Sequence, residues 1–148
     1  MAIAAYLVFA VVAGAMIPFQ AGINAQLAAW VGSPVRAAFV SFAVGTVALG
    51  LLSVLILKPL PSASRLGDAP AWIWVGGLFG AFYVLGNIVS APHLGAATLI
   101  AAIVAGQSLT SLVIDQYGWV GFKEHPVSAG RLVGMALVLG GVALVRLF

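Results

Sequence analysis

Residues 95–118 read GAATLIAAIVAGQSLTSLVIDQYG, and no charged residue occurs from Gly95 to Ile114. As a helix rising 1.5 Å per residue, this uncharged stretch is about 30 Å long, the thickness of a bilayer's hydrocarbon core. Gln107, Ser108, Ser111 and Asp115 fall within about 100° of arc at the helical period of 3.6, so an apolar rod would carry one polar stripe. The stretch has none of the period-2 alternation of a barrel strand. In lipid a backbone must satisfy its own amides, so the stretch is read as a transmembrane helix.

The rest of the chain agrees. Of its 148 residues 64% are hydrophobic and 6% charged, where a soluble domain carries about 25% charged residues, and the mean hydropathy is +1.20. Nine formal charges cannot clothe a surface of this size in water, which excludes an ordinary soluble domain. The absence of cysteine removes disulfides, thiolate metal ligands and a cysteine nucleophile. Although the net charge is +3, the cations Arg36, Lys58, Arg65, Lys123, Arg131 and Arg146 are scattered, and no basic patch points to nucleic acid. The first apolar run lacks the cationic start of a signal peptide and is read as a retained helix.

The expected fold is an all-α integral membrane protein with one transmembrane domain over residues 1–148. Five helices are predicted, at about 3–30, 35–57, 71–90, 95–114 and 129–147. Segment one exceeds the bilayer thickness and contains Pro18, the obvious kink. Gly32, Ser33 and Pro34 make a turn in which Ser33 caps and Pro34 opens the next helix. Lys58–Pro70 (KPLPSASRLGDAP) holds three prolines and three of the nine charges and reads as an aqueous loop. Ala91, Pro92, His93 and Leu94 are expected to form a tight link that forces an antiparallel hairpin. Asp115–Val127 is a second polar loop, after which Ser128 caps the last helix. Trp30, Trp72, Trp74 and Trp119 fall at segment ends, where amphipathic rings sit at headgroup level.

With five spans the cations divide into Lys58, Arg65, Lys123 and Arg131 on one side, against Arg36 and Arg146 on the other. This bias favours a cytoplasmic amino terminus, but by a small margin. Two readings stay open: a fixed orientation, or insertion both ways. In the second, two copies pair antiparallel into a ten-helix homodimer that builds the inverted repeat used for alternating access.

Gln107 lies near the middle of its segment, where an unpartnered amide facing lipid costs a few kcal/mol. Segment three aligns Gly76, Gly80, Tyr83, Asn87 and Ser90 on one face, and Gln20 and Asn24 are neighbours four residues apart in segment one. Taken singly, such groups serve as interhelical glue worth about 0.6 to 2 kcal/mol each. Three helices with aligned polar faces favour a solvated substrate pathway, with Gln107, Asn87, Tyr83, Gln20, Asn24, Ser108 and Ser111 as candidate lining. The serines have a simpler alternative in the carbonyl one turn earlier. Asp115, at a helix end, is read as a solvated terminus or a partner for Lys123 or Arg131. No carboxylate lies at midplane depth, so proton coupling through one is not supported. His93 and His125 are placed in loops and make a poor metal site, and no cofactor is implied. Gly76 and Gly80, and Gly130, Gly134 and Gly141, permit close helix approach within the chain or across a dimer.

The segments GINAQL, SFAVGT, WVGGLFGAFYV, LGAATLIAAIVAGQSLTSLVIDQYG and GMALVLGGVAL resemble the YdcZ family, a five-helix bacterial branch of the drug/metabolite transporter superfamily. The resemblance runs from about Gly14 to Val145, and its most specific element is AGQ followed by Asp-x-x-Gly. It implies a bacterial inner-membrane protein working as a pair of five-helix units. Similarity to the small multidrug resistance branch implies dimerisation through the last helix, at Gly134 and Gly141. That branch carries an essential glutamate in its first helix where this chain has Gln20 and Asn24, so drug–proton antiport is not carried over.

The leading expectation is therefore a small-molecule exporter or facilitator whose partners are the bilayer, an inverted copy of itself and a small neutral or zwitterionic solute. The alternative is a non-transporting subunit of a membrane complex whose polar faces are glue. An enzyme is disfavoured, because the chain has no nucleophile–base arrangement, no carboxylate cluster and no phosphate-cradling loop.

Overall fold

The computed structural model describes residues 2–56 and 69–148. It is all-helical: α1 spans Ala2–Val31, α2 Pro34–Ile56, α3 Gly76–Tyr117 and α4 Ala129–Leu147, with short 3-10 turns at Ala71–Val75 and Trp119–Gly121. Among the described residues four helices are long and apolar enough to cross a membrane. The end of segment two at Leu57 and the aqueous loop as far as Asp68 lie outside the described residues. The chain divides into two compact units, 1–92 and 93–148.

In the first unit the turn between α1 and α2 is built from local bonds. Gly32 takes φ +73°, a conformation that a Cβ disfavours, and the Ser33 N–H reaches the Ala28 carbonyl at 3.1 Å. This is a Schellman closure of the helix end. The Ser33 carbonyl then accepts the Ala37 N–H at 3.0 Å, while Pro34 occupies the first position of α2, where its missing N–H costs nothing. Arg36 folds back to donate from Nη1 to the Val31 carbonyl at 3.2 Å. α1 is continuous through Pro18.

α1 and α2 pack together, and the first unit's core is a cluster of Ala37, Ala38, Val84 and Ile88, flanked by Leu27, Ala28, Val31 and Tyr83. Alanines carry much of this contact. Lipid tails are as apolar as leucine, so small side chains that let backbones approach contribute through packing rather than through expulsion of water. Elsewhere large apolar side chains such as Phe9, Leu49 and Leu137 are exposed, as suits a surface whose solvent is lipid.

Two expectations along α3 are corrected. The third segment does not start as an α-helix at Ala71: residues Ala71–Val75 form a 3-10 turn after Pro70, and the α-helix begins at Gly76. Ala91–Leu94 are helical rather than a link, so His93 lies in a helix and not in a loop. The break falls at Gly95, with φ 71° and ψ 168°. Helical geometry admits Pro92 at the loss of one donor, whereas a positive φ calls for a residue without a Cβ, and Gly95 supplies it.

In the second unit α3 ends at Tyr117, followed by Gly118 at φ +61°. A Cβ there would meet Glu124 Cγ at 2.8 Å and the Phe122 carbonyl oxygen at 3.3 Å, so the turn requires glycine for conformation and for space. Tyr117 and Trp119 stack with ring centroids 5.3 Å apart. α4 opens as expected, with the Arg131 N–H donating to Ser128 Oγ at 3.4 Å.

Candidate functional site

The polar stripe of residues 107–115 lines a cleft of about 600 Å³ in the second unit. Gln107, Ser108, Ser111, Leu112 and Asp115 come from α3, and Arg131, Gly134, Met135 and Val138 from α4. One wall therefore offers amide and hydroxyl groups, the other is mostly aliphatic, and an ion pair closes one end. The helical spacing alone puts the α3 groups on one face. α4 supplies the opposing wall because its cap at Ser128 starts the helix three residues before Arg131.

Arg131 donates from Nη2 to Asp115 Oδ2 and from Nη1 to the His125 carbonyl at 2.7 Å. The loop between the helices is tied to the same place. The His125 N–H reaches the Asp115 carbonyl at 2.8 Å, His125 Nδ1 pairs with the Lys123 carbonyl at 3.0 Å, and Gln116 Oε1 accepts the Val127 N–H at 2.7 Å. Asp115 thus has Arg131 as its partner, one of the two expected alternatives. Both side chains keep contact with the surroundings, at 35% exposure for Arg131 and 23% for Asp115. A pair this open contributes about 1 kcal/mol or less to stability. Its larger effect is on charge, since it puts both signs into the cleft with no net charge.

The remaining candidates lie in the first unit. Asn24 and Asn87 are buried, at 4% and 5% exposure, and the Tyr83 hydroxyl is enclosed with no hydrogen-bond partner among the described residues. Gln20 borders two small clefts between α1 and α2: one of about 220 Å³ with Ser41 and Thr46, and one of about 400 Å³ with Asn24 and Ser41. Gly80 faces the Phe42 ring with room for a methyl group, its built Cβ lying 3.5 Å from Phe42 Cζ. Gly76, Gly130, Gly134 and Gly141 face open space in the chain.

Three polar lining residues were not among the expected site residues, Arg131, Ser41 and Thr46, and neither were the aliphatic Leu112, Met135 and Val138. Arg131 was readable as the cation nearest the cap that follows the one membrane-segment carboxylate. Ser41 and Thr46 carried no signal beyond being hydroxyls on an apolar helix. Among the described residues no three His, Cys, Asp or Glu side chains group closely enough to hold a metal ion.

Comparison with known proteins gives a consistent assignment. The family model described as "Putative inner membrane exporter, YdcZ" matches residues 5–144. The inner membrane protein YdcZ of Escherichia coli (strain K12) is 35% identical over 74 residues, which is 50% of this chain and 45% of that protein. The match thus spans less than half the length of that curated relative. No solved structure matches the chain significantly. With a family model covering nearly the whole chain, and with long apolar helices on either side of its break and cleft, the protein belongs to the YdcZ family and is a multi-pass protein of the inner membrane.

Proposed function

We propose that the chain is one subunit of a small-molecule transporter, working in the export direction, with the cleft of the second unit as part of its substrate path. The observation that carries this reading is the cleft itself: Gln107, Ser108, Ser111 and the Asp115–Arg131 pair share one cavity of about 600 Å³, large enough for a metabolite. Groups meant only to hold helices together would be consumed by each other, whereas these border open space. The family's description as exporters supports the direction.

In this reading α3 is two spans meeting at Gly95, which makes five spans in all. Two subunits of opposite orientation then form a ten-helix, inverted-repeat transporter that alternates access around the cleft. Asn87, Tyr83, Gln20 and Asn24 bind or brace within the first unit, and Gly130, Gly134 and Gly141 pack the dimer. Transport fails first where the amide is lost: Gln107→Ala is expected to cut flux at least about tenfold with the dimer intact. Unchanged flux in that variant removes Gln107 from the path. Dual orientation is tested by Ser62→Cys in the cysteine-free chain. About half of this cysteine should react with an impermeant thiol reagent outside intact cells, and all-or-none labelling means one fixed orientation.

A further inference from the structure

The ion pair indicates which class of molecule the cleft accepts. An open cleft in a membrane protein could hold neutral polar groups alone, yet this one places a carboxylate and a guanidinium against each other where Gln107, Ser108 and Ser111 already supply hydrogen bonds. A cation entering the site would compete for Asp115 and leave Arg131 without its countercharge, and an anion would do the reverse. Each leaves one charge of the pair without its partner and gains no second pair in exchange. An uncharged solute offers hydrogen bonds but no countercharge to either group.

We propose, building on the transporter reading, that the substrate is a small zwitterion with an aliphatic portion. Its carboxylate takes the place of Asp115 on the Arg131 guanidinium, and its ammonium takes the place of Arg131 on the Asp115 carboxylate. The exchange replaces one ion pair by two and keeps the site neutral throughout. The geometry suits it. Arg131 is steadied through Nη1 by the His125 carbonyl, so its fork stays oriented when the Asp115 contact opens. Asp115 is held from behind, its own carbonyl bonded to the His125 N–H. Met135 and Val138, on the wall opposite the polar stripe, then receive the aliphatic part together with Leu112 of α3. Amino-acid-sized molecules fit well within a cleft of about 600 Å³.

The test uses the full chain in lipid nanodiscs with one reporter, Val138→Cys, on the aliphatic wall, reacted with a water-soluble maleimide. The probes are glycine, leucine and phenylalanine as zwitterions, leucinamide as the matching cation and N-acetylleucine as the matching anion. The expected result is that at least one zwitterion slows labelling, with a half-effect concentration at least about tenfold below that of either singly charged derivative. In the Asp115→Asn, Arg131→Gln background, the cysteine is expected to label as before and the protection to disappear. Equal protection by the charged derivatives overturns the proposal, as does a reactive cysteine that no zwitterion protects. A cysteine that does not react at all refutes the solvated cleft, and with it the transporter reading on which this inference stands.

Discussion

The first unit buries its two asparagines, while the second sets an amide and two hydroxyls beside open space. Asn24 and Asn87 are buried in the first unit and Tyr83 has its hydroxyl sealed in, yet Gln107, Ser108 and Ser111 border a cleft with an ion pair at its end. In the sequence the two patterns look alike, as amides and hydroxyls at helical spacing on apolar segments. The difference lies in what opposes them. In the first unit α2 brings Ala37 and Ala38 into the cluster with Val84 and Ile88, and these small side chains let the helices close around the asparagines. In the second, α4 carries Arg131 in its first turn and presents Gly134 to the cleft, which leaves space where a larger side chain would fill it.

Water access should separate the two units most. With no cysteine in the chain, single substitutions report cleanly: Ser111→Cys should react with a water-borne thiol reagent at least about tenfold faster than Asn87→Cys or Asn24→Cys. Equal rates would erase the distinction. Stability gives a smaller contrast of opposite pattern. Asn87→Ala or Asn24→Ala is expected to cost about 1 kcal/mol, read as earlier thermal unfolding in detergent. Ser111→Ala should fall within about 0.5 kcal/mol of the parent, and a serine as costly as the asparagines would make the cleft a packing feature.

The smallest effect belongs to Tyr83. Its hydroxyl already lies buried without a partner among the described residues, so Tyr83→Phe is expected to be neutral or to stabilise by up to about 1 kcal/mol. A clear loss of thermal stability would mean that a water or a group from outside these residues meets the hydroxyl. The first unit would then hold solvent as well.

Hydropathy made the membrane helices legible, because lipid demands long uncharged runs whatever the tertiary structure. The stripe at residues 107–115 was equally legible, since helical period alone sets which residues share a face. The break at Gly95 was read as a link over Ala91–Leu94, the four residues before it, which include Pro92. Proline marks a cost within a helix, but only glycine marks a permitted reversal of φ, and here the chain turned where the conformation was permitted. The partner of Asp115 was narrowed to Lys123 or Arg131 and no further. That choice depends on how the intervening loop folds, with Gly118 at positive φ and His125 returning to the helix end, and neither follows from spacing. Burial was the least readable property of all, because it depends on which helix comes to lie opposite.

The Gly32 turn carries a consequence for the order in which the chain is made. Its closing bonds join Ser33 to Ala28 and Arg36 to Val31, each reaching back five residues. Nothing synthesised later takes part in them. The bend between the first two helices can therefore set once Arg36 has left the ribosome, before Lys123 or Arg131 has been added to influence which way the protein faces.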